Sequence, residues 1–140
     1  DAIALYQGIL DKTPNAAWAV NNLAMLLVTY RSDAASLARA QKLSDQLSNY
    51  SMVSVMDTRG WVKFKNGDFH GAESLLQQAV DKAPDAPEFR YHLGMAQLKS
   101  GEAQAALQNL ESAVNANKPF SGLDEARATL AQLKKSGSVG

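Results

Sequence analysis

Cysteine is absent from this chain. Disulfides, thiolate metal sites and cysteine nucleophiles are therefore excluded. A helical protein needs no disulfide in any compartment, so the absence leaves the location open. Histidine is almost as scarce, with only His70 and His92. They form no HExxH pair, and no cysteine is there to complete a zinc site. There is no surplus of charge: 14 basic residues face 14 acidic ones. A nucleic-acid binder needs a basic surplus to displace counterions, so the balance argues against that partner class, and no nucleic acid is expected. No block of like charge suggests a membrane-surface segment. Long apolar runs are missing too. The longest, Leu23 to Val28, falls far short of the roughly 20 residues that cross a bilayer, so direct insertion is excluded.

Catalytic patterns are equally hard to find. No GxSxG elbow is present. Gly94 and Gly101 stand too far apart for a phosphate loop. Asn66-Gly67-Asp68 lacks the remaining ligands of a calcium loop and reads as a turn. Asn49-Tyr50-Ser51 matches the short glycosylation sequon. No catalytic residue, metal or cofactor is expected. The chain opens on Asp1-Ala2-Ile3-Ala4-Leu5-Tyr6, already in helical periodicity and without Met or a visible signal peptide. It reads as a piece of a longer protein.

What the sequence does contain is a repeat. Shifted against itself by about 34 residues, it superimposes Gly60 on Gly94, Lys65 on Lys99 and Gly67 on Gly101. Ala72 falls on Ala106, Leu76 on Leu110, Ala79 on Ala113 and Val80 on Val114. Small residues at these places let the two helices of a hairpin approach, and larger ones would push the axes apart. Gly67 and Gly101 follow apolar-periodic stretches, as left-handed helix caps do. Asp68 and Glu102 then favour helix starts. Pro84 closes a helix. Asp85-Ala86-Pro87-Glu88 and Ser121-Gly122-Leu123-Asp124 read as capping boxes.

These residues resemble the tetratricopeptide repeat. Residues 87–120 carry Leu93-Gly94, Gly101, Ala106, Leu110 and Ala113, and residues 53–86 carry Gly60, Gly67, Ala72, Leu76, Ala79 and Pro84. Residues 17–52 are a looser copy with Leu23-Ala24, Leu27, Ser36, Ala40 and Leu43. Residues 2–14 look like the second helix of an earlier repeat. The resemblance implies an all-α fold, a right-handed superhelix of antiparallel helix pairs with about eight helices. The last, within 121–135, is a capping helix with Leu123, Ala126, Leu130 and Leu133 on one stripe. A tail of six residues, from Lys135 to Gly140, is expected to be disordered. There are departures. Arg59 and Lys63 stand where large apolar residues are usual, and Trp61 and Phe64 are neighbours able to supply that bulk. The first full copy has two extra residues, placed near Ser48-Asn49-Tyr50-Ser51.

By the same resemblance, the first helices line a concave groove that receives a peptide or protein. Projection onto those faces selects Trp18, Asn21, Asn22 and Met25 from the first copy. The second contributes Asp57, Thr58, Trp61 and Lys65, and the third Tyr91, His92, Met95 and Lys99. Trp and Tyr anchor partners because they bury much area with few rotors, and Met adapts to irregular shapes. Asn21 and Asn22 can pair with an extended peptide backbone. The alternative for Trp61, Met25 and Met95 is that they fill the core. Trp18, Asn21, Glu88 and His92 are poor substitutes for the basic residues of a carboxylate clamp, so no such clamp is expected.

Asn21-Asn22-Leu23-Ala24-Met25-Leu26-Leu27, Asp57-Thr58-Arg59-Gly60-Trp61-Val62 and the stretch Phe89 to Ala96 resemble the C-terminal repeats of bacterial exopolysaccharide and PEP-CTERM-associated tetratricopeptide proteins. That likeness implies a non-catalytic interaction scaffold in a periplasmic or outer-membrane assembly, with the cytoplasm as the alternative. Two rivals stand beside it: a self-associating, homo-oligomeric module, and a regulatory domain attached to an enzyme.

Overall fold

In the computed structural model, which describes residues 1–137, the small residues at the repeat positions have become helix contacts. A β-carbon on Gly60 would stand 2.6 Å from Leu76 Cγ and 3.3 Å from the Ala72 carbonyl oxygen. The same construction at Gly94 gives 3.0 Å to Leu110 Cγ and 3.4 Å to the Ala106 oxygen. Ala72, Leu76, Ala106 and Leu110 are fully buried. Each glycine thus lets the first helix of its pair lie against the second.

Eight helices and no strands occur among the described residues. They are α1 (Ala2–Lys12), α2 (Ala17–Tyr30), α3 (Ala34–Asp45), α4 (Val53–Lys65), α5 (Phe69–Lys82), α6 (Pro87–Lys99), α7 (Ala103–Asn115) and α8 (Leu123–Ser136). Helices α2 and α3, α4 and α5, and α6 and α7 form the pairs. The first helices α2, α4 and α6 touch in succession and make the inner layer of the superhelix. Helix α1 packs on α2 at one end, and α8 covers α7 at the other through Ala126, Leu130 and Leu133. The core runs through the stack, from Leu10 and Leu23 by way of Val55 and Val62 to Leu110 and Leu130.

Side-chain caps set several boundaries. The Asp1, Asp33 and Asp68 carboxylates accept from the backbone N–H of Ala4, Ser36 and Gly71 at 2.8–2.9 Å. The bonds from Ser36 hold the Asp33 carboxyl below its ordinary range. Helices α4 and α6 stop at Gly67 (φ 89°) and Gly101 (φ 86°), where left-handed backbone is needed.

Three expectations need correcting. Neither capping box forms. The N-caps are Ala86 and Gly122, without a side-chain bond. In each case the helix begins one residue later than the box requires, so Asp85 and Ser121 sit outside the capping position. The C-terminal tail is shorter than expected, since Lys135 and Ser136 complete the last turn of α8. Residues 138–140 lie outside the described residues.

The two extra residues also have a definite course. After α3 the chain continues in i to i+3 bonds, with Leu47 N–H donating to the Ser44 oxygen at 2.9 Å and Tyr50 N–H to the Leu47 oxygen at 3.0 Å. Leu47 is buried and pins this turn to the core, while Tyr50 and Met52 emerge from it exposed.

Candidate functional site

The inner layer divides into an exposed apolar end and a buried polar end. At the first end Trp18 is 58% exposed and meets Tyr6 edge to face, with ring centroids 6.1 Å apart. Tyr50 and Met52 rise opposite it. Together with Ala17, Asn21, Asn22, Ser54 and Val55 they line a notch of about 260 Å³ between α2 and the start of α4. Five large hydrophobic side chains are exposed among the described residues, and Trp18, Tyr50 and Met52 all belong to this notch. A contiguous apolar patch on a soluble surface marks a contact site, whereas scattered ones do not.

The two asparagines differ. Asn22 donates from Nδ2 to Tyr6 Oη at 3.1 Å, so it braces α2 against α1. Asn21 Oδ1 is buried without a hydrogen-bond partner, although its residue lines the notch. An unmet acceptor of this kind costs about 1–3 kcal/mol. Met25 is half-buried and packs on the core.

The projected residues of α4 and α6 are mostly not displayed. Asp57, Thr58, Trp61, Tyr91, His92 and Met95 are all buried. They form the floor beneath the groove rather than its surface. Arg59 and Lys63 are polar where bulk is usual, and Trp61 with Phe64 supplies bulk to the core from neighbouring positions. Trp61 stacks on Phe64 at 4.6 Å and on His92 at 4.0 Å, and touches Tyr91 at 5.5 Å. Tyr91 is wedged further by Phe120 at 5.8 Å and by Gly122, whose missing β-carbon would stand 2.4 Å from Cε2.

His92 belongs to a buried pair. Its Nδ1 lies 2.7 Å from Asp57 Oδ1, joining α6 to α4, and its Nε2 lies 4.0 Å from Glu88. Burial pushes the Glu88 carboxyl above its usual range. The nearby Asp57 charge adds to that and His92 opposes it. Lys65 places Nζ 5.0 Å from the Trp61 ring centroid, in cation–π range. Lys99 is exposed and borders neither cavity.

A second cavity, of about 210 Å³, opens where this floor meets the start of α8. Glu88, Tyr91 and His92 line it, together with Lys65, Thr29 and Glu125. Burial, then the adjacent Glu125 carboxylate, raises the Tyr91 phenol far above its ordinary range.

Of the projected residues, Trp18, Asn21 and Asn22 line the notch and Trp61, Lys65, Tyr91 and His92 line the second cavity, while Tyr50, Met52 and Glu125 line them from outside the projection. The two-residue excess was the available signal for Tyr50 and Met52. Projection also missed a buried amide relay, in which Arg90 donates to Asn109 Oδ1 at 2.9 Å and Asn109 to Gln97 Oε1 at 2.8 Å.

Residues 58–122 match the family model described as tetratricopeptide repeat. No curated protein sequence matches the chain. Among solved structures, a MamA crystal structure superposes with a TM-score of 0.70 at 16% identity, covering 98% of this chain and 77% of that one. TTC0263, a thermophilic tetratricopeptide protein of Thermus thermophilus, gives 0.70 at 21% identity, covering 94% and 70%.

Proposed function

Because residues 58–122 match the tetratricopeptide-repeat model and the chain has the fold of such proteins, we propose that it is a non-catalytic scaffold that holds an extended segment of a protein partner along the inner layer of its superhelix. The observation that carries this reading is the notch at Trp18, Tyr50 and Met52, where three exposed apolar side chains converge. Its occupant is an apolar side chain of the partner. A backbone N–H beside that side chain supplies the donor that Asn21 Oδ1 lacks. The Asn21 to Leu27 stretch and its counterparts at 57–62 and 89–96 support an envelope assembly of the exopolysaccharide or protein-sorting kind as its setting.

The test is selection of a displayed random-peptide library on the chain, followed by titration calorimetry of the enriched peptides. Binding should fall at least tenfold in Trp18→Ala and in Met52→Asp, with unchanged circular dichroism. Peptides that bind both variants as well as the parent would place the contact elsewhere.

A second reading is self-association. It is favoured by Leu5, which is 63% exposed on α1. It requires a dimer in light scattering at about 100 μM that Leu5→Glu dissociates; a monomer there rejects it.

A further inference from the structure

We propose that the cavity between α4, α6 and the start of α8 is a subsite for a basic side chain of the bound segment, arginine above lysine. The inference rests on the groove reading and adds the partner's chemistry to it.

The cavity is an acceptor surface. At about 210 Å³ it is far larger than the roughly 15 Å³ a single water needs. Two carboxylates, Glu88 and Glu125, stand on its rim from different helices. Thr29 Oγ1 spends its proton on the Met25 oxygen at 2.7 Å, so it offers lone pairs to the space. The Tyr91 hydroxyl adds another acceptor. Arginine has five donors and no acceptor, which matches such a lining in kind.

The local cations do not satisfy the carboxylates. His92 is committed through Nδ1 to Asp57, and its Nε2 stays 4.0 Å from Glu88. Lys65 forms no ion pair among the described residues, and its ammonium lies against Trp61. Glu125 forms none either among the described residues, its polar neighbour being the uncharged Tyr91 hydroxyl. Setting Lys65 against Glu88 and Glu125 leaves one negative charge, before the Asp57–His92 pair is considered. An acidic occupant would add to that charge. A neutral one would desolvate Glu88 further, and burial already disfavours its charged form. A guanidinium relieves both.

The probe is N-acetyl-arginine amide, titrated at low ionic strength into the full chain and followed by NMR of the His92 and Trp61 ring carbons. Saturable shifts in the millimolar range are expected, weakened at least fivefold in Glu88→Gln/Glu125→Gln and by 0.5 M NaCl. Glu125→Gln alone should weaken binding in part; Glu125 is exposed on α8, so this variant does not threaten the fold. Trp18→Ala should leave the shifts unchanged. Absent shifts, equal shifts with N-acetyl-glutamate amide, or full affinity in the double variant would each overturn the proposal. Library peptides that need Trp18 but bind the double variant at full affinity would overturn it too, while leaving the groove reading intact.

Discussion

Asp57 and His92 meet at 2.7 Å between α4 and α6, and both side chains are almost wholly buried. They tie together two inner helices that also meet where Trp61 packs on Tyr91 and His92. Truncation of either partner leaves the other polar group buried alone, which costs about 3–5 kcal/mol for a charge and less for a neutral imidazole. Asp57→Ala leaves the imidazole without its partner, so it should lower the stability measured by urea unfolding by about 1–3 kcal/mol. A loss below about 1 kcal/mol would mean that the pair adds little to the α4–α6 joint.

Gly60 and Gly94 occupy equivalent places but should not tolerate alanine equally. Alanine gains about 1 kcal/mol in helix propensity at either site. At Gly60 the new methyl meets Leu76 at 2.6 and 2.7 Å inside a filled core, and overpacking costs about 1–3 kcal/mol. At Gly94 the nearest atom is 3.0 Å away, so a small shift of Leu110 suffices. Gly60→Ala should be destabilising and Gly94→Ala close to neutral. Equal thermal shifts for the two variants would contradict this ranking.

Glu73 on α5 should make stability fall as pH rises. Hydrogen bonding with Glu102, then burial and that carboxylate's charge, raises the Glu73 carboxyl above its usual range. A raised folded-state value binds protons more tightly than the unfolded chain does. Its stabilisation is full below the unfolded value of 4.5 and is lost as pH climbs through the folded one. Glu73→Gln keeps a donor for Glu102 at every pH. It should abolish this part of the pH dependence and raise the melting temperature at pH 7. A variant curve parallel to the parent's from pH 4 to 7 would exclude the mechanism.

Gly122 should be required for docking of α8. Its φ of 99° costs an L-residue about 1–2 kcal/mol, and a β-carbon would also strike the buried Tyr91 ring. Gly122→Ala should loosen α8 first, with faster amide exchange from Ala126 to Leu133 than in α4. Uniform exchange across both helices would show that α8 does not open separately.

The fold was legible because a tetratricopeptide pair needs small residues at fixed positions, and Gly60, Ala72, Gly94 and Ala106 are such residues. The helix starts at 87 and 123 were misread by one residue because a box-like spacing occurs by composition alone. The candidate site was harder. A helical projection gives the face of a helix but not its depth. Trp61, Tyr91 and His92 lie on the inner face yet pack on one another and on Phe64 and Phe120, which leaves only a little of each at the cavity wall. Tyr50 and Met52 belong to a connection, where periodicity carries no information.

That connection separates the shape of the notch from the packing of the helix pairs. Leu47 anchors it, so the two residues added there alter what the groove presents while the helix pairs on either side keep their contacts. Changes at positions 48–52 should thus alter the notch at little cost to folding, whereas changes at the buried Asp57, Thr58, Trp61 and Val62 should cost stability. The least regular joint of the array is thus where its surface can vary most freely.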